Sequence, residues 1–593
     1  MQEYSDKEHK ALLNFVTSTD SNIYAVKNLR PEVFGAFGSF FSRSPKDVRD
    51  HILDAVKGEI RGYEMEGGEE RLNKLATSYE FLQKRSKLDS GEDSGGIKQE
   101  LKDILNKKRG VRAELEASIF EPPMKALESG LEKSQSFFEK YYGTYGHKSI
   151  ANTVWISFVA NDVSQLFARK LADDQLAFFI EQSTRFVEFE DNYYKDPRIM
   201  ESEYSDLYND TLETMIEYYN KFYELANNFY QEKIPFNDWL DQQSDRVKEK
   251  SDSYQERKYE RELNGKALDI ARFLLPQAIK TNLAWILDAR STEFDIASWK
   301  GHPLSEIQES AEKIEQAGGE IAPSLLKYTE KNDFYEEKLH EYGGDLELDL
   351  EDKEIEKGVE IVSTPEDCFE KVVAHILKQN NIGKFSQFFQ KAKNMTYDEK
   401  LDILERTVKN RGEYDEWVGA NEEIDLEKIV VEIKTDVGAL RDIRRHQKND
   451  RGEHRYSLDM GYYRPDVVDK MNKEAQNLFD KTMDIAHEAE KEIRKDFPFA
   501  VQYLIPMASM TTITMSMGFD QLQYFIYTRS TPEGNFSYRE DTFNLTEALV
   551  KKFPWLLGMK EYPEDKDIKE VYDNCSWQDL FISLSTDETG LHT

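Results

Sequence analysis

The stretch KIVVEIKTDVGALRDIRRHQKNDRGEHR, residues 428–455, places a strand and a charged helix in immediate succession. Its β-branched opening, Lys428–Lys434, predicts the strand, and a charged helix is expected from near Val437. Within Ala439–Arg455, six basic residues (Arg441, Arg444, Arg445, Lys448, Arg451, Arg455) stand against three acidic ones (Asp442, Asp450, Glu453), a local charge of +3. The chain around them is acidic: 114 Asp and Glu against 79 Lys and Arg, a formal net charge of −35. A positive island in so negative a chain points to an anion site, and phosphate is the usual anion. A solvated helix face balanced by acids elsewhere is the plainer reading of the same composition.

Working outward, the same order of features occurs earlier in the chain. Asn22–Arg30 and Val33–Phe41 read as an entry segment. Ser44-Pro45 then predicts a helix start, with Asp47 in its first turn, and helical pattern continues to about Lys140 around a loop at Ser86–Gly96. Gly143–Gly146 is a turn, Ile150–Ala160 a strand candidate, and Asp162–Lys170 a helix. Glu188–Glu262 is long, acidic and tyrosine-rich, expected as an inserted helical hairpin whose aromatics (Ile216–Tyr230) serve packing. Ala267–Phe294 is expected as an apolar helix kinked at Pro276. The charge-dense Tyr342–Glu360 separates the halves. After it come a helical region to about Gly412, the 428–434 strand, the charged helix, a long helix Lys473–Lys495 and a proline-containing apolar segment, Phe499–Tyr527. Similar order at this spacing indicates an internal duplication. The expected organisation is a first unit over residues 1–340 with helical insertions at about 47–140 and 188–262, an acidic linker at 341–361, and a second unit over 362–593.

Composition narrows the function classes. At 593 residues, with 39% hydrophobic and 12% aromatic side chains, the chain can build real cores. Its acidity disfavours nucleic acid and anionic lipid as partners. Cys368 and Cys575 are the only cysteines, and neither belongs to a CxxC, so a disulfide framework and a thiolate zinc site are not expected. The charged N-terminus shows no signal peptide. The best apolar stretch, Phe497–Met510, is broken by Pro506 and falls below the ~20 residues a membrane span needs. A cytoplasmic, membrane-free protein is the expectation. No glycine-rich phosphate loop, HExxH or GxSxG is present, and His375 in VVAHIL reads as a core histidine.

Two motif groups remain. Gly146-His147-Lys148-Ser149 precedes a strand, and Glu181-Gln182-Ser183-Thr184-Arg185-Phe186 follows it. In extended backbone, Glu181, Ser183 and Arg185 project to one side, a surface able to grip a polar planar ligand; a surface ion pair on a loop is the alternative. These residues resemble the flavin-dependent thymidylate synthases (ThyX). That family carries Gly-His-x-Ser and then Arg-His-Arg-x-x-Ser-x-Asn-Glu-x-Ser-x-Arg-Tyr. Gly146, His147 and Ser149 match the first element, and Glu181, Ser183 and Arg185 the end of the second. Asp173-Asp174-Gln175 stands where Arg-His-Arg belongs. Asp288-Ala289-Arg290 resembles the later Asn-x-Arg, and His302–Ile307 (HPLSEI) the His-Ala-Gln-Trp-Glu-Ile element. In the second half, Arg441-Asp442 and Arg445-His446-Gln447 resemble the Arg-His-Arg element and its approach, with Glu453 in register. Arg529 and Arg539 remain near the later helix, where Gly518 and Asp520 replace Asn and Arg. Each half keeps much of what the other lacks.

The resemblance implies an α+β fold of two ThyX-like units, each a small sheet with packed helices, carrying large helical insertions. It implies FAD, with methylenetetrahydrofolate and NADPH as co-substrates, converting dUMP to dTMP. Glu181, Ser183, Arg185 and Arg290 would bind the nucleotide. His147, Arg441, Arg445 and His446 would bind the cofactor. The flavin rather than a protein nucleophile would carry the chemistry, in a composite site drawn from both halves, with no metal. Since family members are tetramers, a homodimer supplying four units is the expected assembly. A changed-substrate or non-catalytic nucleotide- or flavin-binding descendant is the alternative.

Overall fold

The computed structural model describes residues 4–29, 46–59, 66–89, 148–184, 192–332, 354–408, 425–576, 582 and 584. Two compact units divide the chain: Met1–Pro197 with Ala278–Leu348, and Arg198–Gln277 with Asp349–Thr593. The fold is α+β, as expected, with a four-stranded antiparallel sheet in each of two units.

In the first unit, β1 (Ile23–Val26) precedes α1 (Val48–Lys57), then β2 (Trp155–Ser164), α2 (Gln165–Ala172) and β3 (Phe178–Glu181). After β3 the chain passes to α3 (Ser205–Lys233) and α4 (Asp252–Ala271), which belong to the second unit. It returns as β4 (Lys280–Asp288), α5 (Ala289–Trp299) and α6 (Ser305–Ile321). The second unit continues with β5 (Gly358–Ser363), β6 (Ile429–Asp436), α7 (Val437–Ile443), β7 (Asp450–Glu453), α8 (Lys473–Ile493), β8 (Met510–Met517), α9 (Phe519–Ser530) and α10 (Phe536–Lys552). The sheet orders are β1-β2-β4-β3 and β5-β6-β8-β7, the same arrangement twice.

Local chemistry explains the strands. In β6, Ile429, Val431 and Ile433 are buried in alternation, and every residue from Ile429 to Asp436 pairs with β8. In β2 a bulge between Ala160 and Val163, with Asp162 at φ 54°, shifts the register, after which pairing resumes to Ser164. The expected helix over 162–170 therefore begins at Gln165. The expected apolar helix over 267–294 is corrected more fully. Its helix ends at Ala271 in a short 3-10 turn, Arg272–Leu274, and β4 follows beyond Pro276. Leu283, Ala284 and Trp285 of β4 are buried in succession, so the strand reads as a near-continuous apolar run, which periodicity alone does not separate from a buried helix. In α1 the cap is Asp47, whose side chain accepts from the Arg49 amide; Ser44 and Pro45 lie outside the described residues, as does most of the helical pattern expected up to Lys140.

The acidic, tyrosine-rich insertion is a helical hairpin, and its aromatics do pack: Ile216, Tyr219 and Phe222 of α3 are buried, with Phe222 centred 5.9 Å from Phe479 of α8. Behind the hairpin, two proline segments pair antiparallel. The Gln277 amide donates to the Ile505 carbonyl at 3.0 Å, and the Met507 amide donates to the Leu275 carbonyl at 3.0 Å, with Pro276 opposite Pro506. Each segment closes a short 3-10 turn in corresponding positions of the two halves. The pairing is reciprocal: of these two hydrogen bonds, each segment donates one and accepts the other. Among the described residues no helix is long and apolar enough to cross a membrane.

Candidate functional site

The second unit's site starts at the end of β6. Asp436 is fully buried and caps α7, accepting from the Ala439 amide at 2.7 Å. The Lys357 ammonium, just before β5, lies 3.0 Å from Asp436 and 2.9 Å from Asp541 of α10. Thr435 also donates to Asp541, and Ser537 to Asp436. Burial drives the Asp541 carboxyl up to about 6, Lys357 offsetting only part of that effect. Burial disfavours the Lys357 charge, yet the two carboxylates hold its pKa above the ordinary lysine range. This clamp fixes the direction in which α7 leaves the sheet.

Helix α7 presents a carboxylate ringed by guanidiniums. Asp442 lies 3.7 Å from Nη1 of Arg272 and 3.7 Å from Nε of Arg445. Burial works to raise its pKa, but Arg445, Arg272, Arg529 and Arg441 outweigh burial and hold it at about 2. Arg272, at the end of α4, is 1% exposed, and its Nε and Nη2 have no hydrogen-bond partner among the described residues. Arg445 is exposed and Arg441 half-buried. His446 is buried against Phe525, ring centroids 4.6 Å apart, and its Nε2 accepts from Nε of Arg529 at 2.9 Å. Accepting there places the ring proton on Nδ1. Burial, reinforced by Arg529, keeps the imidazole neutral, its pKa well below the usual histidine value. His446 therefore aims Arg529 rather than adding charge of its own. Arg272 and Arg445 flank the carboxylate, and two buried donors of Arg272 have no partner among the described residues; that donor set fits a phosphate or pyrophosphate.

The first unit holds the corresponding elements with different chemistry. Ser164 caps α2, and its amide donates to Glu306 of the HPLSEI element at 2.7 Å. Counting from the caps Ser164 and Asp436, Asp173-Asp174-Gln175 occupies the positions of Arg445-His446-Gln447. Counting from Asp288 and Gly518, Asp295 corresponds to Phe525, and Trp299 to Arg529. Burial, then Asp174, push Asp295 well above the ordinary carboxylate range. Glu181 is buried at the end of β3, Ser183 half-buried just beyond it. Arg290 lies in the first turn of α5 and is exposed. His147 and Arg185 lie outside the described residues. So the structure gathers Arg441, Arg445 and His446, while Glu181, Ser183 and Arg290 lie in the first unit. Sequence reading did not single out Arg272: its only signal is an arginine closing an amphipathic helix four residues before a proline. Among the described residues no group of His, Cys, Asp or Glu could hold a metal.

The family described as "thymidylate synthase complementing protein" matches residues 106–324 and 372–555, together more than half of the chain. The chain belongs to this family. One match falls in each half, so the ThyX-type protein is a diverged tandem pair. The UPF0159 protein of Chlamydia pneumoniae is 23% identical over 93% of this chain and 94% of its own. That of Thermoplasma acidophilum is 23% identical over 74% of this chain and 91% of its own. A UMP/dUMP methylase PolB from Streptomyces cacaoi, solved with 5-Br dUMP, aligns with a TM-score of 0.26 at 12% identity, covering 33% of this chain and 90% of that one. That last likeness is too slight to carry an argument.

Proposed function

We propose that this ThyX-family chain is a flavin-dependent thymidylate synthase-type methyltransferase. In this reading it converts dUMP to dTMP with methylenetetrahydrofolate as carbon donor, FAD as cofactor and NADPH as reductant. The observation that carries the reading is the guanidinium cluster of Arg272, Arg441, Arg445 and Arg529 about Asp442, with two buried donors of Arg272 unpartnered among the described residues. Isolated buried guanidinium donors are costly, and a bound phosphate ester satisfies them.

On this assignment Arg441, Arg445 and Arg272 hold the flavin pyrophosphate, and His446 orients Arg529 toward it. Bound flavin supplies the reducing chemistry; the chain's residues bind, orient and neutralise charge. His147 completes the cofactor set by resemblance to the family. Glu181, Ser183, Arg185 and Arg290 are assigned to the nucleotide, as acceptors and donors for a uracil edge and a phosphate oxygen. The purified protein should be yellow, and should release tritium from [5-3H]dUMP only when methylenetetrahydrofolate and NADPH are both present. A colourless protein that takes up no added FAD ends this reading. A yellow protein that releases no tritium keeps the flavin and moves the substrate to another compound.

A further inference from the structure

We infer that each chain holds one flavin-pyrophosphate site, in the second unit, and that the first unit's copy of the same elements has lost the arginine and histidine that build it. The inference rests on the functional reading above and adds a stoichiometry to it.

The argument is positional. Both units build the site from a capped helix leaving the second strand of the sheet order, followed by a helix leaving the third. In the second unit the residues after the first helix are Arg445 and His446; in the first unit they are Asp173 and Asp174. Arg529, which donates to His446, is replaced by Trp299, buried and packed edge-on to Phe167 at 5.8 Å. Phe525, which supports the imidazole, is replaced by Asp295, buried beside Asp174, its Oδ2 without a partner among the described residues. Asp442, the carboxylate at the centre of the cluster, is replaced by Lys170, which pairs with Asp173 at 3.7 Å. Only Arg441 keeps its sign, as Arg169.

All of these changes but one act in the same direction: removing guanidiniums deletes attraction, and carboxylates at the same positions add repulsion in a partly buried setting, where charge is weakly screened. The exception is Lys170 in place of Asp442, and it pairs with Asp173. Arg272 has a sequence counterpart too. Four residues before Pro506, as Arg272 is before Pro276, stands Gln502, a neutral side chain whose Oε1 accepts from the Tyr456 amide and whose Nε2 donates to the Phe499 carbonyl. The retained groups are complementary: one arginine cluster and one Glu-x-Ser-x-Arg element per chain.

Flavin-free full-length protein titrated with FAD, followed by visible absorbance, should saturate at one equivalent per chain. Inorganic pyrophosphate should compete with FAD for that one equivalent. Two equivalents of FAD would overturn the inference while leaving the functional reading in place; no binding of FAD would overturn both. Arg441→Met/Arg445→Met should weaken binding roughly 100-fold or more, as two charge-assisted contacts are lost, whereas half-occupancy at wild-type affinity would show a second site. Asp173→Asn/Asp174→Asn, outside the proposed site, should keep one equivalent at wild-type affinity. Loss of that equivalent would place the site in the first unit and refute the assignment.

Discussion

Single residues decide the electrostatics. His446 is neutral because it is buried beside Arg529. Its folded pKa lies below its unfolded value near 6.5, so its contribution to stability is complete above about pH 6.5 and is lost as pH falls toward the folded value. His446→Gln should lower the melting temperature at pH 7.5, and the gap to wild type should narrow as pH falls to 5; a gap that widens on acidification would refute the neutral, accepting imidazole. Asp442 makes the opposite kind of statement. Held at about 2 by surrounding arginines, it is the counter-charge that lets Arg272 stay buried. Asp442→Asn should destabilise by about 3–5 kcal/mol, the cost of stranding buried charge. Because phosphate can then take the carboxylate's place, added phosphate should raise the variant's melting temperature more than wild type's. Equal shifts in thermal scans would argue against an anion site. For Arg185, assigned to the nucleotide by its motif, Arg185→Ala should weaken dUMP binding about 10- to 150-fold in calorimetry while flavin content holds.

Elements position these residues. Helix α7 is aimed by its cap Asp436, and the cap by Lys357. Lys357→Met would leave two buried carboxylates without their cation; it should cost about 3–5 kcal/mol in urea denaturation, whereas a loss below about 1 kcal/mol would mean the clamp contributes little. Much of this level could be read from the chain. The β-branched run at 429–434 and the charged turn after it announced β6 and α7, and the Arg-His-Arg-like residues fell where the caps now place them. What could not be read was β4, whose burial on both faces removes the alternation that marks a strand. Equally hidden was Arg272, which reaches Asp442 across 170 residues of sequence; the sequence reading gave its helical hairpin to the first unit, whereas Arg198–Gln277 belongs to the second compact unit. Ser164 and Glu306 illustrate the same limit: their hydrogen bond joins two motifs that look unrelated until the helices are in place.

At the scale of the whole molecule, two family units share one chain of 69.3 kDa. The resemblance to a tetrameric family implies a pair of chains, so sedimentation should give twice the chain mass; a stable monomer at micromolar concentration would refute that assembly. The reciprocal pairing of the Pro276 and Pro506 segments bears on how the halves came to differ. In a dimer of identical subunits, any substitution beside a dyad is written on both sides at once, so a change useful on one side and harmful on the other is never sampled alone. Covalent fusion lifts that rule. Arg272 and Gln502, Arg445 and Asp173, are pairs that two identical copies could not have held. Across the prolines the backbone hydrogen bonds stay reciprocal, while the side chains four residues earlier differ.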